Sequence, residues 1–422
     1  MPVGGRMTAD DVLKGTLVVV LGGGQGERLY PLTRDRAKPA VPFGGIYRII
    51  DFTLSNCLNS GLRRIYVLTQ YRSFSLDRHL RLCWNCLNEE LGEFVVPVPP
   101  QQRAGEQWYL GTADAIYQNI YTLDRERPDR VLILAGDHVY KMNYRTMIDF
   151  HRSVGAEITV GCVEVPLEEG RRFGVMQVDR NWRVIGFQEK PPCPAPLPDK
   201  ADRCLASMGI YVFETRTLVQ LVSEDAKRDT SHDFGKDILP RCYKDRAVYG
   251  FMLREPDGRQ GGYWRDIGTI DAYWQSNMDL LRLDAEFKLD DDRWPIRTYQ
   301  EQHPPARFFV CENEGTGVAV NSIVSQGCII HGGRVVRSVL SPIVRVGPGS
   351  EVRESVLMNE VRVGQHCRLH RVIVDKRVVI PDGAQVGLDP ELDRRRFTVT
   401  PSGIVVVPHG VPPDEEFWRP RR

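Results

Sequence analysis

The fold is decided by residues 17–28, which read LVVVLGGGQGER. The five aliphatic side chains before the glycines are typical of a strand that is buried on both faces, as in a parallel sheet. Similar apolar runs occur at Ile65–Thr69, Val131–Ala135 and Ile158–Cys162. Polar or helix-forming sequence follows each run, so we expect strands that alternate with helices in one sheet.

The segment between the first two strands predicts the crossover helix of such a sheet. Residues 51–61 place their apolar side chains on one helical face, with Asp51 as the candidate N-cap and Gly61 as the stop. The proline-dense residues 191–198 predict an exposed loop rather than a domain boundary, because strand-like sequence resumes at Met208–Phe213. The chain therefore begins with an α/β domain built on an open, mostly parallel, Rossmann-like sheet.

The period of the sequence changes toward its end. Apolar residues recur six positions apart, in the pairs Val346 and Val352, Val363 and Leu369, and Ile380 and Val386. Glycine directly follows three of these positions, at Gly347, Gly364 and Gly387. Six-residue steps with glycine corners favour a C-terminal left-handed parallel β-helix of hexapeptide repeats over a β-sandwich, in which recurring Val-Gly pairs have no role. We predict a first domain at 1–285, a linker at 286–310 and the β-helix at 311–422.

The composition restricts the classes of partner. The 56 Lys and Arg residues nearly cancel the 55 Asp and Glu residues, so there is no basic field of the kind that recruits nucleic acid or an anionic membrane. No apolar run approaches the ~20 residues of a membrane helix, and the first residues lack a signal-peptide pattern, so we expect a cytoplasmic protein. The ten cysteines are too sparse for a disulfide scaffold, and the Cys83/Cys86 pair is interpreted as incidental because no second pair completes a zinc site.

The glycine-rich loop after the first strand is suited to phosphate groups. Its N–H groups can approach phosphate oxygens without a side chain in the way, and a helix start there adds a positive dipole. The loop matches neither the Walker pattern nor the dinucleotide fingerprint, whose third glycine is replaced by Leu29. Alone it is equally consistent with a tight turn. Arg28 and Lys38 favour a triphosphate ligand, because a triphosphate carries roughly four negative charges, which glycine amides alone do not offset.

The loop and the sequence after it match a known signature. The stretch GQGERLYPLT at 24–33, followed by Lys38-Pro39, resembles sugar-1-phosphate nucleotidyltransferases, with Glu27 where the family usually has Thr or Ser. Further motifs match in order along the chain: RAKPAV at 36–41, YRIIDF at 47–52, SNCLNSG at 55–61, WYLGTADA at 108–115, AGDHVY at 135–140, FQEKP at 187–191, SMGIYVF at 207–213, SHDFGK at 231–236 and YWRDIG at 263–268. Together they resemble bacterial glucose-1-phosphate adenylyltransferases over residues 17–396.

The resemblance implies transfer of a nucleotide from ATP to glucose 1-phosphate with Mg²⁺ as the cofactor. It assigns catalysis to Arg28, Lys38, Asp137 and Asp266, and the metal to Asp137 and Asp266. It assigns the nucleotide to Gly23, Gly24, Gly26, Gln102, Gly111 and Thr112. It assigns glucose 1-phosphate to Tyr109, Gly174, Glu189, Lys190, Ser207, Tyr211 and Asp233. The position of Asp137 just after a predicted strand also favours a carboxylate at the ligand edge of the sheet, with a helix N-cap as the alternative.

The resemblance also implies regulation. Family members are tetramers controlled by sugar-phosphate or related activators and by AMP or phosphate, so a homotetramer with such effectors is expected. Arg36 and Arg48 match basic positions of the regulatory cleft, whereas Asp35 and Pro42 replace the lysine and histidine of enteric-type enzymes, so the activator stays open. The alternatives are a uridylyl- or thymidylyltransferase and a non-catalytic regulatory subunit. The presence of all the expected catalytic residues argues against the non-catalytic subunit.

Overall fold

A computed structural model describes residues 9–24, 26–100, 108–259, 261–412 and 414–418. These residues divide into two compact units, the first within Met1–Gly24, Phe52–Trp264 and Asp292–Ile296, and the second within Gln25–Asp51, Arg265–Asp291 and Arg297–Arg422. The domain boundaries at 285 and 310 stay a prediction. None of the helices in the described ranges is long and apolar enough to span a membrane.

The helices and strands are numbered in chain order. The helices are α1 (Ala9–Lys14), α2 (Ile49–Asn59), α3 (Phe74–Cys83), α4 (Thr112–Tyr117), α5 (Ile120–Glu126), α6 (Tyr144–Ser153), α7 (Leu167–Gly170), α8 (Thr215–Asp225), α9 (Leu239–Cys242), α10 (Ile270–Asp279), α11 (Pro390–Arg396) and α12 (Glu415–Trp418). The strands of the first 270 residues are β1 (Thr16–Leu21), β2 (Pro42–Phe43), β3 (Tyr47–Arg48), β4 (Arg64–Leu68), β5 (Phe94–Val98), β6 (Arg130–Ala135), β7 (His138–Tyr140), β8 (Ile158–Pro166), β9 (Gly174–Val178), β10 (Val184–Glu189), β11 (Arg203–Glu214), β12 (Val248–Met252) and β13 (Trp264–Asp266). The later strands are β14 (Arg307–Cys311), β15 (Gly315–Thr316), β16 (Val318–Val320), β17 (Ile323–Val324), β18 (Ile329–His331), β19 (Arg334–Val336), β20 (Val339–Leu340), β21 (Arg345–Val346), β22 (Glu351–Arg353), β23 (Val356–Leu357), β24 (Arg362–Val363), β25 (Arg368–His370), β26 (Val372–Val374), β27 (Val379–Ile380), β28 (Gln385–Val386), β29 (Thr398–Val399) and β30 (Val405–Val407).

The first unit is built on a sheet with the strand order β10-β9-β11-β6-β1-β4-β5, in which β8 pairs with β11 and β12 pairs with β8. Strands β6, β1, β4 and β5 are parallel. The central strands β1 and β6 are buried along nearly their whole length, which is why they read as continuous aliphatic runs. Strand β11 is antiparallel to β6 and β8, a detail that the apolar runs do not specify. The four predicted runs lie in β1, β4, β6 and β8, except that Thr69 follows the last residue of β4.

The crossover helix α2 begins two residues before the predicted segment. The N-cap prediction for Asp51 is wrong, because Asp51 is the third helical residue, and its carboxylate accepts a hydrogen bond from the N–H of Arg48 at 2.8 Å. An acidic residue at this position satisfies a free N–H from inside the first turn, as in a capping box. Gly61 is the stop: its φ is 85°, and the N–H of Leu62 donates to Cys57 O at 3.0 Å, as in a Schellman motif.

Short parallel strands form a β-helix in the described part of the second unit from β14 onward. They stack in three sheets, whose orders include β14-β18-β21-β24-β27, β16-β19-β22-β25-β28 and β17-β20-β23-β26-β30. Arg345 pairs with Arg362, and Arg362 pairs with Val379, a step of 17 residues. One coil is thus about three hexapeptides long. The left-handed β-helix expected from the six-residue spacing is confirmed, and the β-sandwich alternative is wrong.

The six-residue pairs and their glycines occupy the positions that the β-helix requires. The paired apolar residues are all buried in its core. Gly347 and Gly364 follow each other in successive coils, and a Cβ on Gly347 would lie 2.5 Å from Gly364 O. A side chain at this corner is therefore excluded by the neighbouring coil.

Two smaller expectations have a clear outcome. Residues 191–198 form a loop, as predicted, but only half of them are exposed, because Pro191 and Pro194 are buried. Cys83 ends α3, Cys86 follows it on the surface, and neither forms a disulfide bond within the described residues.

Candidate active site

The carboxyl ends of β1 and β6 form the edge at which the glycine-rich loop begins. Leu21 and Ala135, the last residues of these strands, are register partners, and the N–H of Gly136 donates to Leu21 O at 3.1 Å. Asp137 follows directly, with 27% of its side chain exposed. Its carboxylate thus stands at the ligand edge of the sheet. The helix N-cap alternative is wrong, because strand β7 follows Asp137.

The first glycines of the loop differ in the space around them. The N–H of Gly22 donates to Leu68 O at 2.9 Å, which ties the start of the loop to β4. A Cβ on Gly23 would lie only 2.9 Å from the Cβ of Gln70. Around the Cβ position of Gly24, by contrast, no atom of the described residues other than Gly24 and its chain neighbours lies within 4 Å. The backbone at Gly24 is therefore open to a ligand, as a phosphate-binding loop requires.

A tight turn of the second unit holds Gly26 beside Lys38. Gly26 has a φ of 66°, and a Cβ there would lie 2.9 Å from Thr33 Cγ2 and 3.2 Å from Lys38 Cβ. The Thr33 hydroxyl donates to Gly26 O at 2.9 Å. Glycine is needed for both the left-handed backbone and the close approach. The turn fixes where the Lys38 side chain starts.

Lys38 and Arg28 place two cations near the carboxylate of Asp266. Lys38 is buried, and its Nζ lies 3.3 Å from Asp266 Oδ1. The Cβ position of Gly268 is 2.7 Å from Asp266 Oδ2 and 3.3 Å from Arg28 Nη2, so a side chain at 268 would displace one of these groups. The Arg28 side chain is exposed. Its guanidinium is accessible to a phosphate group.

The carboxylate of Glu189 lies beside two glycines of the first unit. Glu189 and Gly174 are register partners in β10 and β9. The Cβ positions of Gly174 and Gly235 are 2.9 and 2.8 Å from Glu189 Oε2. Lys190 Nζ lies 2.5 Å from Glu189 Oε1, and the lysine side chain is 53% exposed while that of Glu189 is 17% exposed. A carboxylate held this tightly beside an accessible ammonium group suits a ligand that carries both hydroxyls and a phosphate.

Thr112 and Asp233 are joined by a hydrogen bond. The Thr112 hydroxyl donates to Asp233 Oδ2 at 3.0 Å and accepts from the N–H of Phe234 at 3.0 Å. The other oxygen, Asp233 Oδ1, accepts from the N–H of Gly235 at 2.9 Å. Gly111 precedes this bridge and has no room for a side chain, because carbonyl groups of the loop before Asp233 occupy the space. An amino acid predicted to bind the nucleotide and one predicted to bind glucose 1-phosphate are thus in direct contact.

The other amino acids of the first unit that are predicted to bind glucose 1-phosphate lie on neighbouring elements. The Tyr109 hydroxyl accepts a hydrogen bond from Asn119 at 3.0 Å, and burial raises the pKa of Tyr109. Ser207 and Tyr211 lie in β11 on either side of a bulge, and burial raises the pKa of Tyr211. Both tyrosines are therefore neutral at physiological pH. Gln102 lies outside the described residues.

The predicted regulatory arginines belong to the second unit. Arg36 is buried and donates to both carboxylate oxygens of Asp375, at 2.8 and 3.0 Å. Burial, followed by the positive charges of Arg48 and Arg36, lowers the pKa of the adjacent Lys376 to about 7. A lysine that is half-protonated near neutral pH among arginines would be stabilised in its charged form by an anion.

Three residues near these groups carry no sequence signal that identifies them: Gly235, Gly268 and Lys376. The glycines stand in the motifs SHDFGK and YWRDIG, but their lack of a side chain has meaning only next to Glu189 and Asp266. Lys376 acquires its low pKa first from burial and then from the charges of Arg48 and Arg36, which are far away in the sequence. Only the folded chain brings these groups together.

Comparisons with known proteins place the chain among sequences of one kind. A family model described as nucleotidyl transferase matches residues 17–282, and one described as the GlmU-like C-terminal hexapeptide matches residues 304–407. The chain is 52% identical to the glucose-1-phosphate adenylyltransferase of Rhodopirellula baltica, over 95% of this chain and 91% of the relative. It is 51% identical to that of Koribacter versatilis, over 93% and 95%. It is 50% identical to glucose-1-phosphate adenylyltransferase 2 of Alkalilimnicola ehrlichii, over 93% of each chain.

Proposed function

Because the chain belongs to the nucleotidyltransferase family, among the glucose-1-phosphate adenylyltransferases, we propose that it converts ATP and glucose 1-phosphate to ADP-glucose and diphosphate. The observation that carries this proposal is the 52% identity, which extends over 95% of the chain and so includes both the sheet and the β-helix. The reaction is the committed step of glycogen, or α-glucan, biosynthesis.

The chemistry is an in-line substitution at phosphorus. A phosphate oxygen of glucose 1-phosphate attacks the α-phosphorus of ATP and forms the new P–O bond. The bond from that phosphorus to the oxygen bridging to the β-phosphate breaks, and diphosphate leaves with the electron pair. No covalent enzyme intermediate is required. Because both substrates are anions, positioning and charge neutralisation supply most of the rate enhancement.

Arg28, Lys38 and the glycine loop are proposed to bind the triphosphate. The open backbone at Gly24 offers an N–H to phosphate oxygens, and the exposed guanidinium of Arg28 can bind two oxygens at once. Lys38 is held by Asp266 at 3.3 Å. This pair keeps the ammonium group oriented before ATP arrives, so less rotamer entropy is lost on binding.

The family uses a divalent metal, and we assign Mg²⁺ to the carboxylates of Asp137 and Asp266. Both side chains are partly accessible, at 27% and 18%, and carboxylate oxygens are the donors that Mg²⁺ prefers. When bound, the ion would offset the negative charge of the phosphates during the substitution. The two carboxylates are proposed as its only protein ligands, since Mg²⁺ keeps several waters and binds through substrate phosphates.

The remaining residues are assigned either to the nucleotide or to glucose 1-phosphate. Gln102 and the Gly111–Thr112 turn are proposed to recognise the nucleotide. Glu189 is proposed to accept hydrogen bonds from sugar hydroxyls, and Lys190 to bind the sugar phosphate, because ammonium and carboxylate groups complement those two parts of glucose 1-phosphate. Tyr109, Gly174, Ser207, Tyr211 and Asp233 complete the proposed sugar site.

Regulation, assembly and location are further parts of the proposal. Arg36 and Arg48, to which the structure adds Lys376, are proposed to bind an anionic effector such as AMP, phosphate or a sugar phosphate. A homotetramer in the cytoplasm is proposed, with residues 1–285 as the catalytic domain, 286–310 as a linker and 311–422 as the domain for assembly and regulation.

The test is synthesis by the purified protein. ATP, UTP and dTTP are each supplied with glucose 1-phosphate and Mg²⁺, and the sugar nucleotide and diphosphate are both measured, with and without fructose phosphates, pyruvate and AMP. We expect ADP-glucose and diphosphate in equal amounts from ATP. Preferred use of UTP or dTTP would support the alternative transferases. No product with any nucleotide, from a folded protein, would support a non-catalytic regulatory subunit.

A further inference from the structure

Residues 230–236 of the first unit run from a loop into the π-helix Phe234–Ile238 and are called the loop below. They connect groups that the proposed function assigns to different substrates. On one side, the N–H of Ala113 in the first turn of α4 donates to His232 O at 2.7 Å. On the other side, the Cβ position of Gly235 is 2.8 Å from Glu189 Oε2. A shift of this loop would therefore move both the turn proposed for the nucleotide and the carboxylate proposed for the sugar.

The backbone of the loop adopts an unfavourable conformation at His232. Its φ is 52°, in the left-handed region that non-glycine residues rarely occupy. Such a conformation persists only where other interactions hold it. At His232 the interaction is with Asp225, the last residue of α8: His232 Nδ1 lies 2.8 Å from Asp225 Oδ2, and the two side chains are 11% and 3% exposed. Since a carboxylate accepts, the hydrogen is on Nδ1.

Other contacts of Asp225 tighten the same arrangement. The Thr230 hydroxyl donates to Asp225 Oδ1 at 3.1 Å and accepts from the N–H of His232 at 3.2 Å. Arg241 Nη1 lies 3.3 Å from Asp225 Oδ1 and offsets the charge of this buried carboxylate. The loop is thus tied at its beginning to the end of α8, by side chains that the catalytic assignment does not use.

We propose that Asp225 and His232 are a positioning pair for both substrates. Their hydrogen bond fixes the loop so that the Thr112 turn and the Glu189 carboxylate are held in place together. Both residues act through the loop rather than by touching a substrate. The inference rests on the proposed function, because that function identifies the two sides as nucleotide and sugar sites.

Three variants of His232 separate the hydrogen bond from the backbone conformation. His232→Asn keeps a donor near the position of Nδ1 and tolerates a positive φ, so it should retain the loop. His232→Gly removes the side chain but adopts a positive φ without strain, so it loses only the hydrogen bond. His232→Ala loses the hydrogen bond and keeps the backbone strain.

A second buried histidine of the same unit supplies a matched control. His151 is fully buried, with Nδ1 2.8 Å from Thr159 Oγ1 and Nε2 3.3 Å from Glu214 Oε1. Neither of these two hydrogen-bond partners is assigned to a substrate. His151→Ala should therefore lower the unfolding midpoint and leave the KM values for ATP and glucose 1-phosphate unchanged.

The readout is the split between KM and kcat, measured by steady-state ADP-glucose synthesis, with the folded fraction determined by thermal unfolding. For His232→Ala and His232→Gly we expect the KM values of both substrates to rise about 3- to 12-fold, as when the net contribution of one intramolecular hydrogen bond is lost from uniform binding. For His232→Asn we expect both values within about twofold of the wild type. A merely structural role would lower the apparent kcat and leave both KM values unchanged.

Several outcomes would overturn the positioning role while the wild type remains active. One is unchanged KM values in His232→Gly, and another is a His232→Asn variant as impaired as His232→Ala. A rise confined to one substrate would also contradict it. A wild type that makes no ADP-glucose refutes the proposed function instead. In that case the loop proposal is tested by calorimetric dissociation constants of ATP and glucose 1-phosphate for the same variants. If the wild type binds neither substrate, the loop proposal is overturned as well.

Discussion

Replacing Gly235 with alanine adds one methyl group beside the carboxylate that we assign to glucose 1-phosphate. Its Cβ would lie 2.8 Å from Glu189 Oε2, whereas ordinary contacts begin at 3.4 Å, so the carboxylate must move by about 0.6 Å. A misplacement of ~1 Å at a reacting centre costs up to ~10²-fold. We therefore expect kcat/KM for glucose 1-phosphate to fall about 10- to 100-fold, or about 1.4–2.7 kcal/mol of transition-state stabilisation.

The fold should tolerate this substitution. The φ of Gly235 is not positive, and alanine at such a site gains about 0.4–1 kcal/mol by restricting the unfolded chain. The assay is initial-rate ADP-glucose synthesis with glucose 1-phosphate varied at saturating ATP, then with ATP varied. The KM for ATP should change less than about twofold, since the displaced group serves the sugar. Lys236→Ala, which alters the next side chain in the same turn, is the matched control and should leave both KM values unchanged.

A double variant tests whether the steric cause is correct. Glu189→Asp shortens the carboxylate and leaves room for the methyl group at 235, so Gly235→Ala should cost little more in the Glu189→Asp background. If the losses of kcat/KM in the two single variants multiply in the double variant instead, the methyl group does not act by displacing Glu189. Wild-type kinetics in the single Gly235→Ala variant would refute the assignment of Glu189 to the sugar.

At the proposed metal ligand Asp137, substitution by asparagine should lower kcat by ~10²–10³-fold with an unchanged unfolding midpoint, and near-normal diphosphate release by that variant would contradict the assignment. Lys190→Ala should raise the KM for glucose 1-phosphate with little change for ATP, measured by initial rates, whereas an equal rise for both would count against its role. The pKa of Lys376 is lowered to about 7, so its positive charge is present below that pH and is lost as the pH rises. The calorimetric affinity for sulfate should accordingly weaken between about pH 6 and pH 9 in the wild type and much less in Lys376→Arg, and equal pH profiles would exclude Lys376 from the anion site.

Much of the first unit's framework follows from local sequence. The runs in β1, β4, β6 and β8 are aliphatic because these strands are largely buried within the sheet. The stop at Gly61 follows from its left-handed backbone. The N-cap prediction for Asp51 was wrong because an acidic residue can accept from the free N–H groups of a helix start either at the N-cap or within the first turn. The sequence does not distinguish these two positions. The antiparallel pairing of β11 also escaped prediction, since apolar runs carry no strand direction.

The sequence by itself determined the glycine loop, the six-residue period of the β-helix and the position of Asp137 after a central strand, because each depends on neighbours within a few residues. Only the tertiary structure decided which side chains share a site. It brought Lys38 to Asp266, Thr112 to Asp233, and Gly235 to Glu189. It also placed Lys376 among the charges of Arg36 and Arg48, which lower its pKa together with burial. These properties arise from distance and desolvation, which are set by the folded chain and not by the order of residues along it.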